Sequence, residues 1–247
     1  MEKISIDINC DIGEGTPDEA LLFPFISSCN IACGGHAGDD ASMTEAVRLA
    51  KKHRLKIGAH PSYPDRDNFG RLHMVMPAGA FKAAIREQLA ALDRILLQEK
   101  ALMHHIKPHG ALYNDLVADP ALAALFLEGI SAYKNQCRIY IPWGSAIAAE
   151  AQIQGYNTVY EAFGDRRYTA EGRLVSRKLL GAVIEDPNAV LEQLLMMIRE
   201  QRVKTLNGTV IPIEAHTFCI HGDTPAAFQI LTYLAGELPK HGIYLKE

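Results

Sequence analysis

Acids and histidines recur at matching places along this chain: Asp11, Glu14, His36, His60, His109, Glu161, Asp165, His221 and Asp223 each stand at or just beyond the end of a short β-type run. Carboxylates and imidazoles are the side chains that move protons near neutral pH, and they also ligate divalent metals. Asp11, His60 and His109, with His36 as an alternative, could supply three ligands and leave a position for water, as hydrolytic metals require. A zinc site on Cys29, Cys33 and His36 is the weaker reading. In an extended strand the two cysteines lie about 13 Å apart, whereas two thiolates on one zinc sit about 4 Å apart. Core thiols explain them better.

The elements that must position these groups alternate. β-type runs fall at 4–10, 26–33, 56–60, 104–109, 138–142, 157–163 and 217–221. Between them, Phe81, Ile85, Leu89, Leu92 and Leu96 stripe one helical face, and Met43, Val47 and Ala50 do the same behind a Ser42-x-x-Glu45 capping pattern. Asp119-Pro120, Asp186-Pro187 and Thr224-Pro225 each read as a cap followed by the proline that suits a first helical position. Strands alternating with helices predict a parallel sheet, open or closed into a barrel. In such folds ligands bind at the C-terminal ends of the strands, where the acids and histidines collect. Residues 164–181 ("GDRRYTAEGRLVSRKLLG") break the alternation and read as a polar lid or hairpin. Because side chains alternate along a strand, Asp7, Asn9 and Asp11 share one face, as do His105, Lys107 and His109. Inside a barrel these charges would have to pair, with Asp7 and Lys107 one candidate ion pair.

Composition limits the partners. The chain has 247 residues, a net charge of −4 and no linker-like stretch, so a single domain spanning 1–247 is expected. Nothing basic enough for nucleic acid or an anionic membrane is present, and no apolar run is long enough to span a bilayer. Five cysteines without framework spacing fit a reducing, cytoplasmic setting. There is no phosphate-loop, dinucleotide or nucleophile-elbow motif. "HGDTP" at 221–225 puts a turn before a helix N-terminus, where either an anion or the Asp223 carboxylate itself could sit. Trp143 follows a strand and suits a pocket wall or a core position equally.

The blocks "DINCDIGEG" (7–15), "NIACGGHAGD" (30–39), "GAHPSYPD" (58–65), "FGR" (69–71), "KPHGALYN" (107–114), "DRRY" (165–168) and "HGD" (221–223) resemble, in order, the signature blocks of the LamB/YcsF family. Members are the A subunits of bacterial ATP-dependent 5-oxoprolinase. The resemblance implies a seven-stranded parallel β/α barrel of the glycoside hydrolase and deacetylase type. It further implies ATP as co-substrate, opening of the pyroglutamate lactam to glutamate, and two partner subunits, B and C. On this reading Asp11 is a base or metal ligand, His60 and His109 are acid–base or ligand partners, and Lys107 stabilises negative charge. Glu14, His36 and Glu161 complete the catalytic set. Arg71 or Arg166 grips the substrate carboxylate, with Asn9, Asp165, His221 and Asp223 also facing substrate. A rim so rich in acids is expected to hold ATP poorly without outside cations. Against the family pattern the chain has Gly35 for Phe, Asp40 for Pro, Asn68 for Gly, Leu72 for Arg and Gly164 for Ala. Gly35 is expected to remove an aromatic from the pocket wall, and Leu72 a positive charge. A stand-alone metal-dependent amidohydrolase and a non-catalytic, substrate-holding subunit are the alternative readings.

Overall fold

Ile6, Ile8, Cys10 and Ile12 of strand β1 (Ile4–Ile12) are buried in the apolar core, while Asp7, Asn9 and Asp11 between them are buried among polar partners. That alternation sets the architecture, because one face of the strand must meet helices and the other must meet polar groups. The computed structural model describes residues 3–246. Along it follow β2 (Ser28–Ala32), β3 (Lys56–His60), β4 (His105–Ile106), β5 (Arg138–Pro142), β6 (Thr158–Phe163), β7 (Arg202–Lys204), β8 (Val210–Pro212), β9 (Thr217–Cys219) and β10 (Ile243–Leu245). The strands β1 to β6 and then β9 pair side by side in parallel, and β9 returns to β1 with Asp7 opposite Thr217. The result is a closed seven-stranded parallel barrel.

The helices α1 (Asp40–Lys52), α2 (Ala78–Gln98), α3 (Gly110–Ala118), α4 (Pro120–Gly129), α5 (Ala146–Ile153), α6 (Pro187–Glu200) and α7 (Ala227–Glu237) accompany the barrel. The stripe Phe81, Ile85, Leu89, Leu92 and Leu96 of α2 is buried, each residue contributing about 1.5–3 kcal/mol by leaving water. Asp119 and Asp186 cap α4 and α6 by accepting from backbone N–H groups, with proline at the first position as expected.

Other expectations are corrected. The capping box of α1 is Asp39 with Ser42, not Ser42 with Glu45: the helix begins three residues earlier than the apolar stripe suggests. Thr224 does not cap α7, which starts at Ala227; its hydroxyl donates to Asp165 instead. Asp7 does not pair with Lys107. It accepts from Ser28 and Thr217 and lies 3.8 Å from Lys56. The strand expected at 104–109 is shorter, β4 covering only His105–Ile106, although Lys107 and His109 still donate their backbone N–H groups to the carbonyls of Ala59 and Pro61. The β7–β8 ribbon, β10, α3 and α5 were not anticipated from periodicity; each is short and lacks a sustained pattern.

Candidate active site

A polar network fills the barrel and rises to its C-terminal end. Asn9 donates to Glu161 at 2.9 Å and to Thr217 at 2.8 Å; one layer higher, Asn30 donates to Asn9 and to Asp11, both at 2.8 Å. The Lys107 ammonium lies 2.9 Å from Asp11 Oδ1 and 3.0 Å from Glu161 Oε1, with Cys219 Sγ at 3.1 Å. Burial alone would push this lysine down, but Asp11, Cys219 and Glu161 hold it well above the ordinary lysine range. Burial likewise works against the Asp11 carboxylate, and His60 and Lys107 outweigh it, keeping Asp11 well below the usual range. The pairing expected of a charged barrel interior is present, with different partners.

Beside this network three imidazoles and a carboxylate converge. His36 Nε2 is 2.9 Å, and His109 Nδ1 3.3 Å, from Glu14 Oε1; His60 Nε2 is 3.8 Å from the same oxygen. The His36 and His109 rings stack with centroids 3.6 Å apart. Backbone carbonyls set two tautomers: His60 donates from Nδ1 to the Lys107 carbonyl at 2.8 Å, and His109 donates from Nε2 to the Phe69 carbonyl at 3.0 Å. Burial pushes His36 down to about 4 and lowers His109 from the ordinary histidine value. One ligand atom from each of Glu14, His36, His60 and His109 falls within 4.8 Å of the others, so these residues can hold a metal ion. Of the expected ligands, His60, His109 and the alternative His36 lie in this group with Glu14; Asp11, whose Oδ1 is committed to Lys107 and Asn30 and whose Oδ2 lies 3.4 Å from His60 Nε2, falls in a second possible group with Cys219 and His221.

The backbone that delivers these groups is tightly packed. Gly110, which opens α3 after His109, has φ +57°, and a Cβ there would lie 2.5 Å from the Gly70 carbonyl oxygen. Gly70, at φ +62°, in turn abuts His36 and His109. Glycine is needed at both places because a side chain is strained at positive φ and has no room. Gly35 does not border a substrate pocket. A Cβ on it would collide with the Gln88 and Ser62 side chains, so an aromatic here would face buried polar groups behind the site. Leu72 is half-exposed and lies off the cleft.

Above the network opens a cleft of about 500 Å³, floored by Asp11, Glu14, His60, Lys107 and His109. His221 borders it. The ring Nδ1 of His221 lies 2.9 Å from Asp165 Oδ1, so Nε2 is its uncommitted nitrogen. Asp165 is fully buried; burial raises its carboxyl, and His221 and Thr224 more than offset this, leaving it below the ordinary range. The opposite wall is basic. Arg71, Arg166, Arg177 and Lys178 line it, and Asp223 Oδ2 is shared between Arg71 Nη2 at 2.5 Å and Arg177 Nη1 at 2.8 Å. The rim is therefore not an acidic surface: Asp11 and Glu14 lie below it, held by Lys107, Asn30 and the imidazoles, and cations from 164–181 face the opening.

Asp11, Glu14, His60, Arg71, Lys107, His109, Arg166, His221 and Asp223 all border this cleft. Asn9, His36 and Asp165 lie behind the residues that do, and Glu161 borders a neighbouring cleft of about 540 Å³ that also contains Trp143. Asn9 precedes Asp11 by two residues on the same strand face, which places it roughly 6–7 Å deeper. Arg166 is buried and donates to the Val175 carbonyl, so its fork is partly committed. Arg177 was missed. Its only signal was the basic triplet "SRK" within the segment that interrupts the alternation.

Residues 6–247 match the LamB/YcsF family. A solved lactam utilization protein from Thermus thermophilus superposes with a TM-score of 0.90 at 33% identity, over 98% of this chain and 99% of that one. A deacetylase solved with substrate gives a TM-score of 0.47 at 12% identity, covering 99% of this chain and 88% of its own. A truncated 3-deoxy-D-arabino-heptulosonate 7-phosphate synthase from Thermotoga maritima also gives 0.47, at 8% identity over 98% and 90% of the two chains. With the match running through every block that builds the cleft, the chain belongs to the LamB/YcsF family.

Proposed function

We propose that this chain is the A subunit of an ATP-dependent 5-oxoprolinase, opening pyroglutamate to L-glutamate together with two partner subunits. The family and the name of the Thermus relative support a lactam substrate. The observation that carries the reading is the polarity of the cleft: proton-transfer groups on the floor face an arginine pair already gripping a carboxylate, that of Asp223. A five-membered lactam with a carboxylate substituent presents an anion and an amide at matching ends. Its carboxylate would replace Asp223 between Arg71 and Arg177.

An unstrained amide is a poor electrophile. Transfer of the γ-phosphoryl group of ATP to the lactam oxygen activates the carbon and releases ADP; one water adds there and the C–N bond breaks as nitrogen takes a proton, leaving an acyl phosphate, and a second water hydrolyses this to L-glutamate and phosphate. Asp11, fixed by Lys107 and Asn30, is placed to orient the water. His221, held by Asp165 at Nδ1, is the proton carrier, since its Nε2 has no hydrogen-bond partner among the described residues. His60 and His109 are less free for that role, because their inward nitrogens face one another at 3.0 Å and both point toward Glu14.

The test measures glutamate release from pyroglutamate with ATP and magnesium, with and without the two partner subunits. Turnover should require the partners and fall at least about 100-fold in His221→Ala. ATP-dependent turnover by the isolated chain would overturn the subunit assignment. A second reading, a stand-alone metal-dependent amidohydrolase, is favoured by the imidazole cluster; turnover by the isolated chain with metal but without ATP would establish it instead.

A further inference from the structure

The inward nitrogens of His60 and His109 face one another at 3.0 Å. Each ring already donates its other N–H to a carbonyl, at Lys107 and Phe69, so in the neutral rings both facing nitrogens carry lone pairs. Two lone pairs at hydrogen-bond distance repel unless a proton or a metal ion lies between them. Glu14 Oε1 points at the same spot, 3.3 Å from His109 Nδ1 and 2.9 Å from His36 Nε2. Four ligands at bonds of about 2.0–2.1 Å around one tetrahedral ion would lie about 3.3–3.4 Å from one another. Four of the six pairwise distances, 2.9, 3.0, 3.3 and 3.8 Å, bracket that value, while the parallel stacking of His36 on His109 requires the His36 ring to turn before both aim at one ion.

Charge points the same way. Asp11 and Glu161 share one ammonium, Lys107, and Glu14 faces the imidazoles of His36, His60 and His109, so three buried carboxylates stand against one permanent cation, an excess of two negative charges. One divalent cation balances them, whereas unpaired buried charge is costly. We propose that Glu14, His36, His60 and His109 bind one first-row divalent transition-metal ion. Three imidazoles and one carboxylate form a borderline donor set suited to zinc-like ions rather than to magnesium or calcium. The carbonyls of Lys107 and Phe69 are the outer partners that fix ring orientation in such sites. His36 Nδ1 has no partner among the described residues, so this ring is the least fixed of the three. Glu14, His60 and His109 border the cleft, so the ion would be within reach of a bound carbonyl or water, which a metal of this class polarises. The assignment stands or falls separately from the lactam reading.

Purified full-length chain, stripped with a chelator, is titrated with zinc chloride by calorimetry and followed by thermal melting. One ion per chain is expected, with micromolar or tighter affinity and a raised Tm. Cobalt chloride should give the visible absorption of a low-coordinate nitrogen/oxygen site. Glu14→Gln, His36→Ala, His60→Ala and His109→Ala should each weaken zinc binding at least about tenfold, whereas the exposed His216→Ala should not. No binding at roughly 100 μM zinc, or binding undiminished by His60→Ala, would overturn the proposal. If the alanine variants fail to fold, the cobalt spectrum of the unaltered chain decides: its absence refutes the site, and its presence supports it.

Discussion

At the scale of single residues, the cleft is governed by which atoms are already committed. Arg166 spends its fork partly on a carbonyl, while Arg71 and Arg177 share one carboxylate oxygen of Asp223 that a ligand carboxylate can replace. Arg177→Leu should therefore raise KM for pyroglutamate about ten- to a hundredfold in the assembled enzyme, the cost of a charge-assisted contact. The ring 2-pyrrolidone, which has no carboxylate, should be a poor substrate for the unaltered enzyme and hardly worse for the variant. Steady-state kinetics on both lactams checks this. Equal use of the two lactams by the unaltered enzyme would remove the arginine pair from substrate recognition.

At the scale of elements, Asp165 ties the end of β6 to the loop after β9. It accepts from the His221 N–H groups of backbone and ring and from the Thr224 hydroxyl, all within about 3 Å by ordinary hydrogen-bond geometry. In the folded chain its carboxyl titrates below the ordinary aspartate value. The stabilisation is thus fully present above the unfolded value near pH 4 and is lost as pH falls through the lower, folded one. Asp165→Asn should be less stable at neutral pH, and its stability should fall less between about pH 5 and about pH 3 than that of the unaltered chain. Urea midpoints across that range measure the difference. Parallel profiles would show that the carboxylate does not link the two elements energetically.

At the scale of the whole molecule, the barrel is closed around polar groups as well as by backbone hydrogen bonds. Lys107, just beyond β4, reaches Asp11 on β1, Glu161 on β6 and Cys219 on β9, so one ammonium joins strands on opposite sides. Lys107→Met would leave two buried carboxylates without their cation. A loss of about 3–5 kcal/mol is expected, read from denaturant unfolding. A change below about 1 kcal/mol would mean that backbone pairing and the helical layer hold the barrel closed without this network. This cost also bears on Asp11: a variant there should lose stability along with activity.

Period-two alternation made Asp7, Asn9 and Asp11 legible as one inward face, because a side chain's direction along a strand is a local property. The strand ends that carry His36, His60, His109, Asp165 and His221 were legible for the same reason, as were the aspartate–proline starts of α4 and α6. Register and loop path are not local, and they decided the rest. Tertiary structure placed Lys107 against Glu161 and Asp11 rather than Asp7, and turned Gly35 toward Gln88. It also brought Arg177 across the cleft from a segment with no periodic signal. The tautomers of His60 and His109 depend on two carbonyls, those of Lys107 and Phe69, which lie 47 and 40 residues from the rings they orient. The sequence by itself determined which side chains line the barrel and its rim; only the closed barrel decided which of them meet, because meeting depends on contacts between residues far apart in the chain.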